Sequence, residues 1–212
     1  YILAYLHKII TFFKPTLPIM ETASYFPIIF VTLAVAFTFL FVHRINNKTG
    51  AIISATFIAI ASSAVGRTQW GHADTDAYNL FFPMILCWIF AEALETEKTI
   101  KKYTLITLIG FIFGIYAFAW TGWWYLFDFI LAGLIINTIY AFIFNRTKIV
   151  TSIVTTVIYF LSTAIFTGIL KKDIFIIINT AFMGPFGFTI IKDAVHTETH
   201  EQLFPNVYTT VA

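Results

Sequence analysis

The chain is poor in charge. Asp, Glu, Lys and Arg make up 11% of its 212 residues, where soluble domains carry roughly a quarter. Hydrophobic residues reach 59% and the mean hydropathy is +0.84, so a water-soluble fold would lack the polar surface to cover itself. That class is excluded. The single cysteine, Cys87, stands inside an apolar run, which leaves no disulfide framework and no redox compartment to read. A net charge of +2 does not argue for a nucleic-acid partner, and none is expected. The chain opens without Met or a cleavable-signal pattern and closes without a polar tail. It reads as a fragment.

What the chain does have is long apolar runs. A bilayer core of about 30 Å needs roughly 17–25 apolar residues in a helix. Runs that fit or approach this cover residues 24–42, 51–65, 78–94, 103–120, 123–144 and 149–170. The second is short, and Gly66 extends it by one. These runs predict an all-α polytopic membrane protein, a multi-span helical bundle of about six spans with the lipid bilayer as its solvent. Residues 1–13 place Ile2, Leu3, Leu6, Ile9, Ile10 and Phe13 at helical spacing before Pro15 and Pro18. Their length and the interrupting His7 and Lys8 predict an interfacial helix. Residues 174–191 contain Gly184-Pro185-Phe186-Gly187, which breaks a helix; a broken span, a re-entrant pair and a surface element all fit.

Lys and Arg set the orientation. Arg44, Lys48, Lys98, Lys101, Lys102, Arg146 and Lys148 fall in or at the ends of three connections, and the alternate connections carry only Arg67. The positive set is expected in the cytoplasm and the other connections on the extracytoplasmic face, where Trp70, Trp120, Trp123 and Trp124 also lie. The glycosylation patterns at Asn47 and Asn145 then lie on the cytoplasmic side and are expected unmodified. Glu92, Glu95 and Glu97 with Lys98, Lys101 and Lys102 read as a solvated cytoplasmic end.

The polar exception is Gly66-Arg67-Thr68-Gln69-Trp70-Gly71-His72-Ala73-Asp74-Thr75-Asp76-Ala77-Tyr78-Asn79, set between two apolar runs. Charge beside hydrocarbon needs a partner, water or an ion. The pair Asp74 and Asp76 offers hard oxygen ligands suited to Mn²⁺ or Mg²⁺. A solvated loop in which Asp76 caps the next helix fits the same residues. His72 is a further possible ligand or a solvated loop histidine, and Arg67 a phosphate partner or a snorkelling interfacial side chain. Asp128, about one turn inside a span, is either functional or paired with a neighbouring helix. His196, Glu198, His200 and Glu201 have metal-like composition without recognisable ligand spacing.

The 66–79 stretch, followed by Phe82-Pro83, resembles the second outer loop of the oligosaccharyltransferase catalytic subunit family, with the nearest likeness to single-subunit archaeal enzymes. Ala119-Trp120-Thr121-Gly122-Trp123-Trp124-Tyr125 resembles the family's aromatic outer loop. Leu203-Phe204-Pro205-Asn206-Val207-Tyr208-Thr209-Thr210-Val211-Ala212 is similar to the approach to its Ser/Thr-Val/Ile-x-Glu motif. The likeness runs essentially end to end. It implies a GT-C-like membrane glycosyltransferase, specifically a partial transmembrane domain over residues 1–212. The outer catalytic loop would be 66–77, with the acceptor-binding loop beginning at about 192. The first metal-binding Asp, the motif Glu and the C-terminal soluble domain would lie outside this chain, leaving it inactive alone.

The implied reaction moves a glycan from a lipid-linked, dolichyl-type phosphate or pyrophosphate donor to Asn of an Asn-x-Ser/Thr acceptor polypeptide. By the same resemblance Asp74 is a metal ligand and Asp76 a second ligand or its support, with Mn²⁺ or Mg²⁺ as the ion. Arg67 supports metal and donor, and Thr209, Thr210 and Val211 belong to a loop that clamps the acceptor. Alternatives are another lipid-phosphate-sugar glycosyltransferase and, from Asp128 and the Gly-Pro-Phe-Gly break, a transporter.

Overall fold

The computed structural model describes residues 2–68 and 76–171, and every regular element among them is helical. Helix α1 is Ile2–Phe13, α2 Ile19–Ile45, α3 Lys48–Ile60, α4 Ser62–Arg67, α5 Asp76–Glu95, α6 Thr99–Ala119, α7 Trp124–Phe144 and α8 Ile149–Lys171. Single 3-10 turns at Thr121–Trp123 and Arg146–Lys148 lead into α7 and α8. Five helices (α2, α5, α6, α7 and α8) are long and apolar enough to cross a membrane. Helices suit this solvent because hydrocarbon supplies no partner for an unpaired peptide group. The expected all-α, multi-span architecture holds. The 174–191 segment lies outside the described residues.

The run expected as one span over 51–65 is two helices. Lys48–Ile60 ends at Ala61, whose backbone angles of −59° and 120° are extended, and α4 starts at the next residue. Asn47 starts α3 by accepting the Gly50 N–H at 2.7 Å through its side-chain oxygen. At 13 residues, α3 reaches only about 20 Å, short of the hydrocarbon thickness.

Neighbouring helices nevertheless require the pair to return across the bundle. Phe26 meets Tyr78 at 5.2 Å between ring centroids, Phe30 meets Phe81 at 5.0 Å and Phe37 meets Trp88 at 5.4 Å. Arg44 reaches Glu92 and Glu95, each at 3.0 Å. Residue numbers rise together along this seam, so α2 and α5 are parallel. The chain therefore travels back along the length of α2 between them, and α3 with α4 is that return. The sequence reading of Glu92 and Glu95 as merely solvated needs correction. Through Arg44 they fasten α5 to the end of α2, and Lys101 adds a looser contact to Glu92 at 3.7 Å.

Helices α6 and α8 are also parallel, and they are packed backbone to backbone. Gly110 and Gly114 form a Gly-x-x-x-Gly face, the small-residue spacing that lets membrane helices approach closely. A Cβ placed on Gly110 would lie 2.8 Å from the Ser162 carbonyl carbon, and one on Gly114 3.0 Å from that of Phe166. Helix α7 runs antiparallel to α8. Tyr159 donates its hydroxyl to the Phe127 carbonyl at 2.9 Å while its ring stacks on Phe127 at 5.2 Å. Further along, Asn137 donates to Ser152 Oγ at 2.9 Å, and Thr138 Oγ1 lies 2.9 Å from the same hydroxyl. Phe82, Leu86, Phe113, Tyr116, Phe127 and Tyr159 are buried where these helices converge.

Two measurements check this packing. Gly110→Ala in the full-length protein should cost about 1–3 kcal/mol by overpacking and lower the detergent-solubilised melting temperature. Gly66→Ala, with no atom within 4 Å of the new Cβ, should not lower it. Arg44→Gln should cost about 1 kcal/mol or less, as a partly exposed ion pair does. That deficit should shrink as salt is raised; a deficit independent of salt would place the effect elsewhere.

Candidate active site

The two stretches singled out by their polar and aromatic residues come to the same end of the bundle. Arg67 is the last residue of α4 and Asp76 the first of α5, and these two helices touch. Residues 69–75, including His72 and Asp74, lie outside the described residues, as do Thr209, Thr210, Val211 and the 196–201 cluster. Thr68 and Ala77, on either side of that stretch, are buried. Tyr78 and Phe82 then anchor the first turns of α5 against Phe26 and Tyr116.

Asn79 lies three residues after Asp76, about one turn further into the bundle. Its Oδ1 accepts the Tyr116 hydroxyl at 3.0 Å, and that hydroxyl is 3.4 Å from the Tyr125 hydroxyl. One hydrogen-bonded set thereby joins α5, α6 and α7 one turn into the bundle from Asp76. The rings around it form a stack. Phe82 lies on Tyr116 at 4.6 Å and 22°, and Trp120 lies on Tyr116 at 5.8 Å and 22°. Tyr125 meets Trp120 edge-on at 5.9 Å.

Gly122 is required by this stack, because a Cβ there would lie 2.6 Å from Trp120 ring atoms. Trp123 turns inward and is buried, whereas Trp124 and Tyr125 are 41% and 40% exposed. The platform therefore has a buried side at Trp123 and an exposed side at Trp124 and Tyr125. It offers ring faces and a fixed carboxamide and hydroxyl, but no acid or base of its own.

Asp128 sits one turn below Trp124. Its Oδ2 is buried and has no hydrogen-bond partner among the described residues, so the expected pairing with a neighbouring helix is not found there. Thr163 and Thr167 of α8 also bury unpartnered hydroxyls. No group of three or more His, Cys, Asp or Glu gathers among the described residues. The Asn79–Tyr116–Tyr125 set was absent from the sequence reading. Each residue is unremarkable alone, and only the antiparallel register of α5 and α6 brings positions 37 apart together.

The family profile described as "Oligosaccharyl transferase STT3, N-terminal" matches residues 1–211. The chain belongs to this family. It is 27% identical over 128 residues to the dolichyl-phosphooligosaccharide-protein glycotransferase of Methanococcus voltae, covering 59% of this chain and 14% of that protein. A similar likeness, 26% over 140 residues, links it to dolichyl-phosphooligosaccharide-protein glycotransferase 2 of Pyrococcus furiosus, covering 66% of this chain and 18% of that one. The Pyrococcus horikoshii protein of the same name is 28% identical over 163 residues, covering 76% and 21%. The matched stretches thus account for about a fifth or less of these relatives. No solved structure matches. The family match and the five long apolar helices agree on a multi-pass membrane protein.

The hydrogen-bonded set can be tested as a cycle. Asn79→Leu leaves the buried Tyr116 hydroxyl without its acceptor and should cost about 1–3 kcal/mol. Adding Tyr116→Phe should recover most of that loss, because removing both partners is nearly neutral. Melting temperatures of the single and double variants check this. An additive loss would mean that the bond contributes nothing.

Proposed function

We propose that this chain forms the membrane part of a glycosyltransferase of protein N-glycosylation. The donor is a lipid-linked oligosaccharide on a dolichyl-type phosphate or pyrophosphate, and the acceptor is Asn of Asn-x-Ser/Thr in a polypeptide. What supports this reading is the convergence just described. Arg67 and Asp76, which flank Asp74 in sequence, end α4 and begin α5 at the same end of the bundle as the tryptophan turn, opposite the Lys- and Arg-rich connections, in a chain of this family. By the positive-inside rule that end faces away from the cytoplasm.

The chemistry has one central difficulty. A carboxamide nitrogen is a poor nucleophile because its lone pair is delocalised into the carbonyl, as in a peptide bond. Carboxylates that hold the amide N–H groups reduce that delocalisation. Asp74 and Asp76 would hold a divalent ion, Mn²⁺ or Mg²⁺; two carboxylates on a short loop are hard oxygen donors of the kind such ions take. A bound ion supplies positive charge that organises the site and offsets charge growing on the leaving phosphate. Arg67 holds donor phosphate from the end of α4. Asn79, Tyr116 and Tyr125 form a bonded polar set one turn into the bundle from Asp76. Thr209, Thr210 and Val211 belong to the loop that closes over the acceptor, an opening and closing step that peptide entry requires.

Asp74→Ala in the full-length protein should lower glycan transfer to a labelled acceptor peptide on the order of a hundredfold or more, the scale of losing a preorganised electrostatic contact. Asp76→Ala should lower it less, consistent with a supporting ligand. Both variants should melt with the wild type, and wild-type transfer should cease with EDTA and return with Mn²⁺. Undiminished transfer by Asp74→Ala would overturn the assignment of the ligand.

A further inference from the structure

Helix α8 lies against both α6 and α7, while the α6 and α7 backbones scarcely meet. At the basic end the gap between them opens as a cleft of about 590 Å³. Lys102 on α6 and Lys148 at the start of α8 line it together, and their like charges repel across it. Neither has a carboxylate within salt-bridge distance among the described residues.

Two acids also line the cleft, Glu95 and Glu97. Glu95 shares Arg44 with Glu92, and Lys101 approaches Glu92, so those two carboxylates are balanced by two cations. The remaining formal charge on the lining is Lys102 plus Lys148 less Glu97, a net of one positive charge. A singly charged anion fits that balance.

The cleft also reaches inward. Asn137, on its wall, lies seven residues before the end of α7, a depth of about 10 Å. Ser152 and Thr155 line the same depth from α8. The Asn137–Ser152–Thr138 hydrogen bonds hold this floor in place without any ligand. Ser152 and Thr155 are buried and already hydrogen-bonded within the bundle, so the open part of the cleft is its mouth at the basic end, which faces the headgroup layer.

We propose that this cleft is a phosphate site for a membrane lipid, with the phosphodiester of an anionic phospholipid between Lys102 and Lys148. Asn137, deeper on the wall, is placed to meet the glycerol and ester oxygens, which lie further into the bilayer than the phosphate. The site lies at the opposite end of the bundle from the 66–77 loop and does not depend on the function proposed for that loop.

The test uses the full-length protein in mild detergent, with phosphatidylglycerol, phosphatidylcholine or soluble glycerol phosphate added. Melting temperature and native mass spectrometry are the readouts. Phosphatidylglycerol should raise the melting temperature and stay bound in the mass spectrum, and the other two should do neither. Lys102→Gln with Lys148→Gln should weaken the phosphatidylglycerol effect tenfold or more. Replacing both lysines by arginine should retain it, which guards against a folding defect. Arg146→Gln, on the same turn but not lining the cleft, should also retain it. Equal stabilisation by phosphatidylcholine, or an undiminished response in the glutamine double variant, would overturn the proposal. A full response to glycerol phosphate that is lost in that variant would support the phosphate site and overturn the membrane as its source.

Discussion

The parallel contact between α2 and α5 is the constraint on which the rest of this bundle depends. Two parallel helices adjacent in a bilayer cannot be joined by a short loop, so the chain between them must travel back across the membrane. The aromatic ladder from Phe26 to Trp88 fixes the register, and Arg44 closes it by holding both Glu92 and Glu95. Only because of that return do the end of α4 and the start of α5, at Arg67 and Asp76, come to the tryptophan end. Without it, Arg67 and Asp76 would lie among the basic connections.

The second constraint is the close approach at Gly110 and Gly114. It draws α8 so near α6 that α7 is held mainly through α8, by Tyr159 near one end and Ser152 near the other. The two ends of the bundle then differ in kind. At the tryptophan end, stacked rings and one hydrogen-bonded set close the space between α5, α6 and α7. At the basic end the same helices leave a polar cleft.

Much of the fold was legible because hydrocarbon imposes a simple rule on sequence. The apolar runs locate α2, α5, α6, α7 and α8 to within a few residues, and Pro15 and Pro18 separate α1 from α2 as expected. The break at Ala61 was not legible. It falls among small residues that continue a helix readily, with no proline or glycine at the bend. The role of Arg44 was likewise hidden, since its partners lie 48 and 51 residues away and share its end only in a parallel pairing. For the site, spacing and resemblance marked Arg67, Asp74 and Asp76. The platform of Asn79, Tyr116 and Tyr125 comes from register, which one sequence does not carry.

Helix α3 has a further consequence for how such a bundle is assembled. Only Ala51 and Ala55 are buried along it, while Phe57 and Ile60 are 71% and 69% exposed. A helix of 13 residues gains too little from hydrocarbon contact to hold a transbilayer position by itself. Its place is conditional on α2, whose flank receives the two alanines. The membrane position of α3 is thus a tertiary property, set by packing on α2 rather than by its own length.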